Sequence, residues 1–281
     1  MRAAILKSFG TPLVVEDVPD LVINGGTGEV IVDVYASRVV QYAAEVLSGK
    51  RNYLLETPVV PGSGAVGRIR ALGADATHLK VGDWVYCDVT VRSRDDMLNP
   101  DITLQGISAR GEGGLRLQRY FHDGAWAEQM RIPTENAIPL GQIDASNPGA
   151  WCNTGSLLVP YGGFLAGNLQ PGETVLISGA TGMFGSAAVA LALAMGAGCT
   201  IATGRNAAAL AGLEKLHGPR LRTVAMTGDE IIDRAAMLAA APGPIDLVFD
   251  ILPPAATAIQ ARTAIMAVRA YGRVVLMGGV N

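Results

Sequence analysis

Two textures of apolar and polar positions divide the chain. From residue 1 to about 150, short apolar runs alternate with tight turns. Val30–Tyr35, Gly67–Ala71 and Asp83–Cys87 read as strands between Gly-Gly, Pro-Gly and Gly-Ala turns. Gln41–Ser48 is the strongest helical stretch in this half. Residues 91–123 interrupt the texture: RSRDDMLNPD is polar and ARGEGG is turn-like, which predicts a surface excursion. From about Gly155 the apolar runs become continuous and alternate with helical spacing. Thr174–Ser178, Thr200–Thr203, Arg222–Ala225, Asp246–Asp250 and Arg273–Met277 read as strands covered on both faces. Ser186–Met195, Ala207–His217, Asp229–Ala240 and Ala255–Val268 read as the helices between them. The alternation predicts an α/β fold: a β domain over 1–150, then five parallel strands with helices over 151–281.

One segment carries the most chemistry. Thr174–Gly185, TVLISGATGMFG, joins a buried strand to a helix through a glycine-rich turn. Gly179, Gly182 and Gly185 stand three apart. Such a turn bends tightly and leaves backbone N–H groups open to a pyrophosphate. The helix N-terminus adds up to about 1 kcal/mol for an anion. A second strand ends at Gly204-Arg205-Asn206, where NAD-binding proteins usually place a carboxylate for the ribose hydroxyls. A guanidinium there instead suits a 2′-phosphate, which it can grip with two N–H groups. Gly204 leaves room, and Asn206 can add a neutral donor. The expected cofactor is therefore NADP(H), with Thr181, Met183 and Phe184 also in the turn. A purely structural turn and a plain surface arginine are the bland alternatives.

Composition narrows the classes. The 281 residues carry a net charge of −3, which gives no electrostatic case for nucleic acid or anionic membrane. The most apolar stretch, Ala187–Thr203, is broken by Gly196 and Gly198 and is too short for one spanning helix. MRAAILKSFG lacks the apolar core of a signal peptide, so the cytoplasm is the expected location. Cys87, Cys152 and Cys199 are scattered, as are His78, His122 and His217, and no C-x-x-C pair occurs.

The chain also resembles a known family. VYASRVVQYA (Val34–Ala43), PGSGAVG (Pro61–Gly67), KVGDWV (Lys80–Val85), GAWAE (Gly124–Glu128), QPGET (Gln170–Thr174), GATGMFG, DLVFD (Asp246–Asp250) and GRVVLMG (Gly272–Gly278) occur in order. Together they are similar to the medium-chain dehydrogenase/reductase superfamily, closest in pattern to its zinc-independent quinone oxidoreductase-like branch. The resemblance implies an N-terminal GroES-like domain and a C-terminal Rossmann domain. It also implies where a zinc-dependent member would hold its metal. The Cys position is Val40, the His–Glu pair is Ser63-Gly64, and the third ligand falls near Gly155, with Cys152 close but alone. Catalytic zinc needs about three N, S or carboxylate ligands, which these residues do not offer. Residues 88–151 contain no cysteine, so the family's four-cysteine lobe is missing too.

The implied function is an NADPH-dependent, zinc-free oxidoreductase that transfers hydride to a quinone, enone or enal. An alcohol dehydrogenase-like or imine-reducing enzyme that has lost its metal, and a non-catalytic NADPH-binding protein, are the alternatives. The family's proton-relay hydroxyl falls at Tyr42, whose phenol can donate; equally, Tyr42 can pack in the β domain. Ser63 is expected to line the substrate pocket. Asp250, Ile251 and Leu252 are expected along the ribose and nicotinamide, Gly278, Gly279 and Val280 at the carboxamide, and Val159 nearby. Core packing is a live alternative for all of these. The chain stops at Asn281, after the fifth strand, where the resemblance implies further residues and, with them, a homodimer.

Overall fold

A computed structural model of the chain describes residues 1–23 and 26–279. They form two compact units, Met1–Gly155 and Ser156–Asn281.

The first unit opens with an antiparallel hairpin, β1 (Arg2–Ile5) and β2 (Val14–Asp17). It continues through β3 (Glu29–Ser37), α1 (Ala43–Leu47), β4 (Ala65–Leu72) and β5 (Trp84–Cys87). Next come β6 (Thr90–Arg92), β7 (Ile102–Leu104), β8 (Ser108–Ala109) and α2 (Gly111–Tyr120). The last strands are β9 (Gln129–Pro133) and β10 (Ala137–Pro139). Five strands pair antiparallel in the order β10-β5-β4-β3-β9. Val30, Val32, Ile69, Val85, Met130 and Ile132 form the core of this sheet. The expected excursion is a small sheet, β6-β7-β8, with α2 packed on β7.

Helix α2 runs through ARGEGG, which the sequence reads as a turn because interior glycines cost a helix up to about 1 kcal/mol each. The structure explains them. A Cβ at Gly113 would lie 2.0 Å from Asp101, and one at Gly114 would lie 2.4 Å from the Ile102 carbonyl oxygen. The glycines let the helix press against β7.

A second helix, α3 (Thr154–Ala166), is masked in the sequence by the interior Pro160. Beyond it run β11 (Thr174–Ser178), α4 (Met183–Ala194), β12 (Cys199–Gly204), α5 (Ala207–His217) and β13 (Leu221–Ala225). They are followed by α6 (Glu230–Ala240), β14 (Leu247–Asp250), α7 (Ala258–Ile265) and β15 (Arg273–Leu276). The strands pair in parallel in the order β13-β12-β11-β14-β15. Both faces of the central strands are covered; the edge strands β13 and β15, expected to be covered too, are only partly buried, with Arg222 and Leu276 exposed. Val175 and Ile177 pack with Ala188, Val189 and Phe249 on one side; Leu176 packs with Ile201, Met237 and Val248 on the other. All five residues of β11 are buried, as its continuous apolar sequence requires.

Candidate functional site

The strand order of the second unit reverses between β11 and β14, and such a point opens a crevice at the carboxyl ends of the strands. The glycine-rich turn lies there. Gly179 holds φ +85°, a conformation that L side chains rarely adopt. Gly185 is needed for packing: its Cβ would stand 2.1 Å from the Gly179 carbonyl oxygen and 2.8 Å from Ala180 Cα. Gly182 differs from both. It is exposed, its φ is −81°, and its Cβ would meet nothing closer than the Gly179 oxygen at 3.6 Å. Nothing in the folded unit demands a glycine at 182. Helix α4 starts directly after it, with no side-chain cap on its first turn. The helix thus begins three residues before the expected Ser186 and includes Met183 and Phe184, both half-buried.

At the end of β12, a Cβ on Gly204 would lie 2.6 Å from the Thr181 methyl. The room expected beside Gly204 is therefore filled by Thr181, and packing accounts for this glycine. Arg205 is exposed and makes no hydrogen bond or ion pair with the described residues. Asn206 caps α5, its side-chain oxygen accepting from the Ala209 amide at 3.1 Å. Its own NH2 remains a donor.

The neighbouring strand ends are laced together by backbone bonds. Ile251 N–H donates to Ser178 at 3.0 Å, and Gly278 N–H to the Asp250 carbonyl at 3.1 Å. Gly279 N–H donates to the Leu252 carbonyl at 3.0 Å. The amides of Gly278 and Gly279, expected to face a carboxamide, are thus already spent, which leaves their carbonyls. Val280 lies outside the described residues. The Asp250 side chain is buried with Oδ2 unpartnered among the described residues, and burial pushes its carboxyl above the usual range. Val159 sits half-buried on α3.

In the first unit, Tyr42 stands at the N-terminus of α1. Its ring packs on Leu6, Val46, Leu55 and Val59, and the Arg51 guanidinium lies 4.1 Å over it. Its hydroxyl makes no hydrogen bond with the described residues, and burial raises its pKa.

Residues 26–142 match the alcohol dehydrogenase GroES-like domain. An alcohol dehydrogenase of Rhizobium meliloti (strain 1021) is 32% identical over 205 residues, covering 70% of this chain and 55% of the relative. A quinone oxidoreductase-like protein 2 homolog of Nematostella vectensis is 30% identical over 198 residues, covering 68% of this chain and 44% of its own length. The solved alcohol dehydrogenase of Thermus sp. ATN1 superposes with a TM-score of 0.81 at 23% identity, covering 100% of this chain and 78% of that one. This chain belongs to the medium-chain dehydrogenase/reductase superfamily. It spans about half the length of the curated relatives it matches.

The positions where the resemblance places a zinc-dependent member's ligands are Val40, Ser63, Gly64 and Gly155. Val40 and Ser63, both buried, line a cavity of about 20 Å³ with Pro61, Ile107 and Trp126. Ser63 Oγ has no partner among the described residues. Gly64 and Gly155 carry no donor. A Cβ at Gly64 would lie 2.9 Å from the Tyr86 hydroxyl, and one at Gly155 would lie 2.4 Å from it and 2.5 Å from Arg38 Nη1. Cys152 and Cys87 are buried, and burial raises both thiols; among the described residues they belong to no group of three metal-binding side chains. Among the described residues no group of three His, Cys, Asp or Glu could hold a metal ion. The residues present do not fit zinc. Sequence reasoning located these four positions but missed Tyr86, which WVYC presents as one more apolar strand residue.

Proposed function

We propose that this chain is an NADPH-dependent, zinc-free oxidoreductase that transfers hydride to an activated carbonyl or alkene: a quinone, enone or enal. The observation that carries the reading is the pairing of two features in one crevice: an exposed Gly182 that packing does not require, and at the end of β12 an Arg205 with no partner among the described residues. The glycine gives a pyrophosphate access to the first turn of α4. Arg205 grips the 2′-phosphate, and the NH2 group of Asn206 assists. Met183, Phe184, Ile251 and Leu252 border the dinucleotide, with Asp250 beneath them. Ser156–Asn281 is thus the cofactor-binding part, and Met1–Gly155 supplies side chains to the substrate.

When bound, the nicotinamide supplies the hydride, which adds at the β carbon of the acceptor. The bonding electrons move to the acceptor oxygen. Tyr42 then gives its phenolic proton to the α carbon and is reprotonated from solvent. An activated acceptor suits such a site, because no Lewis acid is required when charge spreads onto a conjugated oxygen. A cytoplasmic location and a homodimer complete the proposal.

The test is NADPH oxidation against quinones, enals and simple ketones, with and without added zinc. Turnover of quinones or enals, unchanged by zinc, supports the reading. Turnover of simple ketones only with zinc overturns it. Tight NADPH binding with no acceptor reduced makes the chain a binding protein instead.

A further inference from the structure

Arg68 and Arg70 alternate with the buried Gly67 and Ile69 along β4, so both stand on the sheet face turned away from its core. Their surroundings differ. Arg70 pairs with Asp20 and Asp33. Arg68 makes no hydrogen bond or ion pair with the described residues. Its guanidinium lies 4.8 Å over the ring of Trp84, its cross-strand neighbour on β5. Trp84 is itself held: Tyr35 meets its ring edge-on at 4.9 Å, and its carbonyl accepts from the Leu140 N–H at 2.9 Å. Stacking fixes the plane of the guanidinium and leaves its N–H edge free. Arg68 and Trp84 line a cavity of about 490 Å³ with Asp83, Pro139, Gln142 and Ile143. Small-molecule sites occupy roughly 300–1,000 Å³. Asp83 brings the opposite charge. One of its oxygens accepts from the Lys80 N–H at 2.8 Å, and the other has no partner among the described residues. Asp83 and Arg68 thus share a cavity without forming an ion pair. The exposed Gln142 amide makes no hydrogen bond with the described residues either.

We propose that this cavity binds a free α-amino acid with an apolar side chain. All of its residues belong to the first unit. Arg68 grips the carboxylate with two N–H groups. The open oxygen of Asp83 and the Gln142 Oε1 accept from the ammonium. Pro139 and Ile143 take the side chain. A zwitterion answers both charges, whereas a plain anion leaves Asp83 unanswered and a plain cation leaves Arg68 so. Stacking on Trp84 orders Arg68 before the ligand arrives, which lowers the entropy lost on binding.

The experiment titrates L-phenylalanine and L-leucine into the whole chain by calorimetry. Two analogues run beside them: 3-phenylpropionate, which lacks the ammonium, and phenethylamine, which lacks the carboxylate. Phenylalanine is expected to bind saturably and at least about tenfold more tightly than either analogue, because each analogue forgoes hydrogen bonds to one charged group. Arg68→Gln and Asp83→Asn are each expected to weaken phenylalanine binding at least about tenfold. Asn at 83 can still accept from the Lys80 N–H, and urea unfolding checks that both variants keep the fold. The analogue series on the wild type stands even if a variant unfolds. Absence of saturable binding by both amino acids overturns the proposal. So does equal affinity for phenylalanine and its two analogues, or wild-type phenylalanine affinity in both variants.

Discussion

Gly182 and Gly185 sit three residues apart in the same turn, yet replacement by alanine has different consequences. At 185 the new methyl would stand 2.1 Å from the Gly179 oxygen, 2.8 Å from Gly179 C and 2.8 Å from Ala180 Cα. All three are backbone atoms of the turn, so no flexible side chain can yield. Overpacking of this kind costs about 1–3 kcal/mol or more. At 182 the methyl meets only an ordinary contact at 3.6 Å, in a backbone conformation open to any residue. Alanine there restricts the unfolded chain, a gain of about 0.4–1 kcal/mol, which its poorer fit at the N-cap of α4 offsets by a similar amount, so stability changes little. If that open space is where a pyrophosphate lies, however, the same methyl intrudes on it. A clash of about 1–3 kcal/mol weakens NADPH binding about 5- to 100-fold. Urea unfolding and calorimetric titration of NADPH measure the two effects separately. The expected outcome is that Gly185→Ala loses stability, while Gly182→Ala keeps its stability and loses affinity. Wild-type NADPH affinity in Gly182→Ala refutes the placement of the phosphates.

Three further outcomes follow. Asp250 is raised above its ordinary value of 3.8 by burial. Its stabilising contribution is full below 3.8 and lost as pH rises through the folded value. Asp250→Asn removes this dependence, so stability of the wild type falls relative to the variant from pH 4 upward; parallel pH–stability curves would exclude it. Tyr42→Phe leaves stability unchanged, because the hydroxyl has no partner among the described residues, and lowers kcat for enals at least about tenfold. An unchanged kcat reduces Tyr42 to a packing residue. Ile177→Ala, in the fully buried middle of β11, costs about 2–5 kcal/mol in urea unfolding. A loss below 1 kcal/mol would mean that the sheet is not covered on both faces.

The second unit was legible because its signals are local. The central strands β11, β12 and β14 are buried throughout, and the glycine turn needs only neighbours within seven residues. What escaped depends on distant partners. Helix α2 hides behind Gly113 and Gly114, whose purpose appears only when Asp101 and Ile102 are set against them. Pro160 hides α3 in the same way. Gly64 and Gly155 read in sequence only as positions without a metal-binding side chain. Pairing of β4 with β5 brings in Tyr86 and shows what fills the space. Gly278 and Gly279 ran the other way. Their position at the strand end looks free in sequence, but the carbonyls of Asp250 and Leu252 have claimed their amides.

The claim that this crevice binds NADP(H) is tested most directly by titrating NADPH and NADH into the wild type and Arg205→Ala. The guanidinium is exposed and uncommitted, so its removal costs no stability. A bidentate charge-assisted pair with the 2′-phosphate is worth about 1.5–3 kcal/mol. NADPH should therefore bind the wild type more tightly than NADH does, and Arg205→Ala should weaken NADPH about 10- to 100-fold while leaving NADH unchanged. Equal affinity for the two cofactors, with Arg205→Ala altering neither, would contradict the account.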